Sequence, residues 1–215
     1  MTMKRIGIFG GSFDPVHIGH ISLAKDALNQ CQLEKVILIP AKTQPFKAGK
    51  KVTPAADRMA MVSLAIEDEP HLELSDYEVH SGEVSYTYLT MREMRLLYPG
   101  DELFFITGTD SFLMIEKWRE SEELLKNYSF IIGSRPGYRD DELDECMEDL
   151  QRRYGTKAVK IHNTKIDISS TDVRKMAGEG KSLENLVPES VADYIRERHL
   201  YLEHDDELLS DKTRS

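Results

Sequence analysis

The chain has 215 residues, 40% of them apolar and 31% charged, and a formal net charge of −10. That composition fits one soluble domain with a real core, and no apolar run approaches the roughly 20 residues that span a bilayer. The acidic balance excludes a broad nucleic-acid surface, so any phosphate site must be built locally from a few cations and backbone N–H groups.

The opening stretch, Met1 to Pro15, is not a signal peptide, because Gly, Ser and Asp interrupt its apolar run at once. A cytoplasmic protein is expected. Cys31 and Cys146 stand far apart with no metal-ligand spacing, and both read as buried or idle thiols.

Short β-branched or aromatic runs alternate with longer amphipathic stretches along most of the chain. Strands are expected at Arg5 to Phe9, Lys35 to Pro40, His71 to Leu74, Glu102 to Thr107, Ser129 to Gly133 and Ala158 to Ile161. A helix lies between the first two, with Ile18, Ile21, Ala24, Leu28 and Cys31 three and four apart. Further helices are expected at Pro54 to Glu67, Thr87 to Leu97, Ile115 to Lys126 and Asp140 to Tyr154. Strands so separated pair in parallel through right-handed crossovers. After the last strand, Ser169 with Asp172 forms a capping-box pattern, and Pro188 opens another helix. The expectation is an α/β fold, a Rossmann-like doubly wound parallel sheet with a small helical C-terminal piece from about residue 168. A single domain would cover residues 1–202, and 203–215 would be a polar, frayed tail.

Two segments carry chemistry. Gly10 to His20, GGSFDPVHIGH, follows an expected strand and opens an expected helix, the place where open α/β sheets bind ligands. Gly10 and Gly11 allow close backbone approach or positive φ, and the helix start offers N–H groups to phosphate oxygens. His17 and His20, three apart, would point from one helical face, with Gly19 leaving room between them. Two histidines without a third ligand make a poor zinc site. They suit hydrogen bonding to phosphate oxygens whose charge rises during reaction. The second segment, Ile168 to Arg174, ISSTDVR, places hydroxyls at a helix N-terminus with an Arg one turn inward. By itself it is also an ordinary capping box with a surface Arg.

The string GSFDPVHIGH resembles the signature of the HxGH nucleotidyltransferases, and ISSTDVR resembles the ISSTxIR motif of the same superfamily, about 150 residues later. Ile39-Pro40-Ala41 with Pro45-Phe46-Lys47, Ser85-Tyr86-Thr87, Gly108-Thr109-Asp110 with Trp118, and Arg135-Pro136-Gly137-Tyr138 are similar to segments of bacterial nicotinate mononucleotide adenylyltransferases. The likeness covers nearly the whole chain. It implies adenylyl transfer from ATP to nicotinate mononucleotide in NAD biosynthesis, with Mg²⁺ accompanying ATP. It implies neither nucleic acid nor membrane as partner, and a homo-oligomer is open.

By position, the resemblance makes His17, His20 and Arg174 the catalytic set. Gly10, Gly11, Ser12, Phe13, Gly19, Lys42, Ser170 and Thr171 would hold ATP and its phosphates. Lys47, Tyr86, Thr87, Gly108, Asp110, Trp118 and Arg135 would meet the acceptor, and Arg58 joins Lys42 and Lys47 as a candidate phosphate contact. Trp118 either lies on a flat ring or fills the core, and Tyr86 and Thr87 either bond a carboxylate or cap their helix. Two departures from the family pattern, Phe46 for a His and Leu89 for an Asp, bear on the acceptor pocket and leave the phosphate motifs intact.

Overall fold

The structure is a computed structural model, and it describes residues 3–42, 52–81, 84–134, 139–163, 166 and 168–202. Six strands form one parallel sheet: β1 (Arg5–Gly11), β2 (Lys35–Pro40), β3 (Leu72–Leu74), β4 (Glu102–Gly108), β5 (Ser129–Ser134) and β6 (Lys157–His162). Their order is β3-β2-β1-β4-β5-β6. Each expected strand is present, with ends moved by at most two residues.

The strand sequences are near-continuous apolar runs because both faces of the sheet are covered. Ile6, Ile8, Phe105 and Phe130 belong to one buried layer, beneath Met91, Met94, Leu124 and Leu143. Phe9, Leu38, Phe104 and Ile131 belong to the other, under Ala24, Met61, Val173 and Val191. The alternation is the two-residue period of a strand, and each fully buried Ile or Phe contributes about 1.5–3 kcal/mol.

The covering helices are α1 (Ile18–Gln30), α2 (Ala55–Ala65), α3 (Tyr77–His80), α4 (Thr87–Leu97), α5 (Thr109–Phe112), α6 (Ser121–Asn127), α7 (Asp140–Tyr154), α8 (Ser170–Gly178) and α9 (Glu189–Glu197). Among the described residues, no helix is long and apolar enough to cross a membrane. The expected helix over Ile115 to Lys126 is a correction. Ile115–Lys117 is a single 3₁₀ turn, Trp118 is extended at φ −75° and ψ 150°, and Glu120 is left-handed at φ 55° before α6 begins. Ile115, Leu124 and Leu125 share one core layer, so their apolar spacing imitates a continuous helix. Burying the Trp118 ring edge-on against Phe105, with centroids 5.8 Å apart, is what the interruption achieves.

The connections run in opposite directions on the two sides of β1, which pairs with β2 on one edge and β4 on the other. The loops that leave β1 and β4 therefore diverge and open a crevice above the sheet's carboxyl edge.

Candidate functional site

The site begins where β1 ends. Gly10 and Gly11 continue the strand rather than taking positive φ; the left-handed residue of the turn is Phe13, at φ 45°. The Phe13 ring is only 1% exposed, and a Cβ on Gly11 would stand 3.1 Å from it. Phe13 packs edge-on to His20, centroids 5.1 Å apart, and to Phe9 at 5.4 Å. Its side chain supports the histidines; only its backbone is available to a nucleotide. Ser12 offers its carbonyl to Arg58 across a 2.7 Å bond.

His17 is the N-cap of α1 and His20 occupies its third position. Their rings stack with centroids 3.6 Å apart and planes 28° apart. The His17 backbone N–H donates to His20 Nδ1 at 3.2 Å, which leaves Nε2 as the donor nitrogen of a neutral His20 ring. His17 is buried, its Nδ1 has no partner among the described residues, and desolvation lowers its pKa to about 4. Asp172 acts weakly in the opposite sense. The result is a neutral imidazole with an unsatisfied polar atom, a costly arrangement that a ligand would relieve. Gly19 does not hold space for a ligand: a Cβ there would lie 3.0 Å from His17 Nδ1, so the missing side chain makes room for the imidazole itself.

The second motif docks against the first. Ser169 caps α8 by accepting from the Asp172 N–H at 3.2 Å, and Asp172 accepts in return from the Ser169 N–H at 3.1 Å. The Ser170 hydroxyl donates to the Pro15 carbonyl at 2.9 Å, and Arg174 donates to the Asp14 carbonyl at 2.6 Å and to the Thr171 hydroxyl at 3.2 Å. Two segments far apart in sequence thus present hydroxyls, a guanidinium and two imidazoles at one edge. The C-terminal turn closes the arrangement, with Tyr201 donating to the Asp14 carboxylate at 2.8 Å and the Thr53 N–H reaching it at 3.3 Å.

Arg58 is not a phosphate contact. It is 1% exposed, and its guanidinium donates to the carbonyls of Thr53, Ser12 and Lys42 at 2.9, 2.7 and 3.4 Å. It ties the loop after β1 to the residues just after β2 and just before α2. Lys42 is exposed at the rim, with its N–H donating to the Ser85 hydroxyl at 2.9 Å.

Beside Gly10 and Gly11 lies a cavity of about 670 Å³ that also takes in Ala41, Ser85, Tyr86, Thr87, Phe105, Thr107, Asp110, Met114 and Trp118. The half-buried Trp118 packs on the core edge-on to Phe105 and also lines the cavity. Tyr86 is the N-cap of α4 without a side-chain cap bond, so its side chain satisfies none of the first N–H groups of that helix. Asp110 sits in the first turn of α5 and is ion-paired to Arg139 at 3.0 Å. Gly108 caps α5 and does not line the cavity; a Cβ there would meet nothing within 4 Å. Lys47 and Arg135 lie outside the described residues.

Two cavity residues carry no signal in the sequence. Glu78, 6% exposed, accepts from the Thr90 hydroxyl at 2.5 Å, and its pKa is raised by burial, with the Thr90 and Ser85 hydroxyls acting against that rise. Arg119 lies with its guanidinium 4.9 Å from the Tyr86 ring centroid. Neither stands in a recognisable pattern, because both meet the site only through tertiary packing.

The sequence model of the cytidylyltransferase-like family matches residues 8–176. A protein of Desulfitobacterium hafniense named probable nicotinate-nucleotide adenylyltransferase is 44% identical, over 92% of this chain and 96% of its own length. A protein of Clostridium botulinum with the same name is 38% identical, over 94% of this chain and all of its own length. Among solved structures, Plasmodium falciparum nicotinic acid mononucleotide adenylyltransferase complexed with NaAD superposes with a TM-score of 0.76. It is 25% identical and covers 92% of this chain and 97% of the other. The chain belongs to the cytidylyltransferase-like family and, within it, to the nicotinate-nucleotide adenylyltransferases.

Proposed function

We propose that this protein transfers the adenylyl group of ATP directly to the 5′-phosphate of nicotinate mononucleotide, giving nicotinate adenine dinucleotide and pyrophosphate. An acceptor phosphate oxygen forms the new bond to the α-phosphorus as the bond to the β-phosphate bridge breaks, and pyrophosphate leaves with the electron pair. The acceptor phosphate is already a nucleophile, so no covalent enzyme intermediate is needed. Catalysis is then positioning and charge stabilisation.

The observation that carries this reading is the docking of α8 on the histidine turn through Ser170 and Arg174. With α8 held against the histidine turn, His17, His20, Ser170, Thr171 and Arg174 would serve one anion site, beside the cavity that Trp118 lines. His17 and His20 would donate N–H groups to phosphate oxygens, and Arg174 would hold pyrophosphate as its charge develops. The cavity would take the acceptor, with the pyridine ring against Trp118 and the N-terminus of α4 toward its carboxylate. Mg²⁺ would enter with ATP and supply charge that offsets that of the leaving pyrophosphate.

The test is pyrophosphate release with ATP and Mg²⁺, offering nicotinate and nicotinamide mononucleotide separately. The proposal predicts release with the nicotinate substrate, and His17→Ala and His20→Ala that lower turnover far more than ATP affinity. Turnover surviving both substitutions within a few-fold would remove the histidines from the mechanism.

A further inference from the structure

The broken segment before α6 puts two cations, Lys117 and Arg119, on either side of Trp118 at the ring end of the cavity. They are not equivalent. Arg119 is laid over the Tyr86 ring, 4.9 Å from its centroid, and Tyr86 is the main group that raises its pKa. Its other electrostatic neighbours are Tyr88 and, most weakly, Glu120. The nearby charges are already committed: Asp110 pairs with Arg139, and Glu78 is buried under Thr90. Arg119 therefore faces the cavity as an oriented cation, whereas the exposed Lys117 has no ring beneath it among the described cation–ring contacts.

We propose that Arg119 is a specificity-determining residue that selects a pyridine carboxylate over the corresponding carboxamide; this rests on the acceptor assignment above. The chemistry is one-sided. A guanidinium has five N–H donors in a planar fork and no acceptor. A carboxylate presents an acceptor at each oxygen and a full opposite charge. A carboxamide presents one acceptor and an NH₂, which meets the fork donor to donor. Discrimination comes as much from that mismatch as from the attraction. Stacking on Tyr86 supplies the orientation, so little side-chain freedom is lost when the acceptor binds.

The experiment compares kcat/KM for nicotinate and nicotinamide mononucleotide in the intact chain and in Arg119→Gln and Arg119→Lys. The wild type is expected to prefer the nicotinate form. Arg119→Gln should lower that preference by about tenfold, the loss of one charge-assisted contact. The change should fall on the KM of the nicotinate substrate and leave the KM of ATP in place. Arg119→Lys should be intermediate, keeping the charge without the fork. A wild type that prefers nicotinate, with the preference undiminished in Arg119→Gln, overturns the assignment to Arg119 alone. A wild type that uses both equally overturns the Arg119 proposal and leaves the acceptor reading standing, whereas one that uses neither overturns both.

Discussion

Acidifying the protein below pH 6.5 should protonate an ordinary histidine, but His17 should stay neutral until about pH 4. Burial is the main cause: the ring is 7% exposed, stacked on His20 and enclosed by the backbone at Gly19. The gap between 6.5 and about 4 is worth roughly 3 kcal/mol of differential stability. Its sign follows from proton counting. Between those two values the unfolded chain binds a proton at this position and the folded chain does not. Stability from this group is therefore full above pH 6.5, falls as the pH drops, and is lost by about pH 4. Imidazole NMR would follow the titration directly, with His17→Asn assigning the resonance. Denaturant titrations of both proteins at the two pH extremes would measure the energy, the variant lacking this share of the acid sensitivity. Bound ATP should raise the His17 pKa, because phosphate charge favours imidazolium, and binding should then take up protons on acidification. A His17 resonance titrating near 6.5 without ligand would refute the account of an enclosed, neutral ring.

Three further outcomes follow from the same geometry. Gly19→Ala should push the His17 ring out of register, since its Cβ would lie 3.0 Å from Nδ1, and cut turnover by about tenfold or more with little change in Tm. Tyr201→Phe removes the hydroxyl that donates to Asp14 at 2.8 Å, costing about 1 kcal/mol in denaturant unfolding and weakening ATP binding through the histidine turn. Ser169→Ala deletes the cap of α8, which should cost about 1 kcal/mol and lower Tm by about 2–4 °C. Because α8 carries Ser170, Thr171 and Arg174, kcat should fall as well, and an unchanged kcat would separate the cap from the site.

The sequence by itself determined what is local. Strands, the helix after the histidine turn and the Ser169–Asp172 box depend on side-chain period and on bonds three or four residues apart, so their residues reveal them. The histidine turn and the Ser169–Arg174 segment were legible for the same reason: each is a contiguous turn feeding a helix. Their meeting was not, since it depends on Ser170 and Arg174 reaching the carbonyls of Pro15 and Asp14. Tertiary structure also decided the fate of single cations. Arg58 reads like any phosphate-binding arginine until its three carbonyl partners appear, and Arg119 reads like a surface charge until Tyr86 lies beneath it. The break at Trp118 shows the same limit, because its apolar neighbours fit a helix while the extended Trp118 packs edge-on against the distant Phe105. Backbone preference is written in neighbouring residues, whereas a side chain's partner is set by whichever distant segment the packed sheet brings within bonding distance.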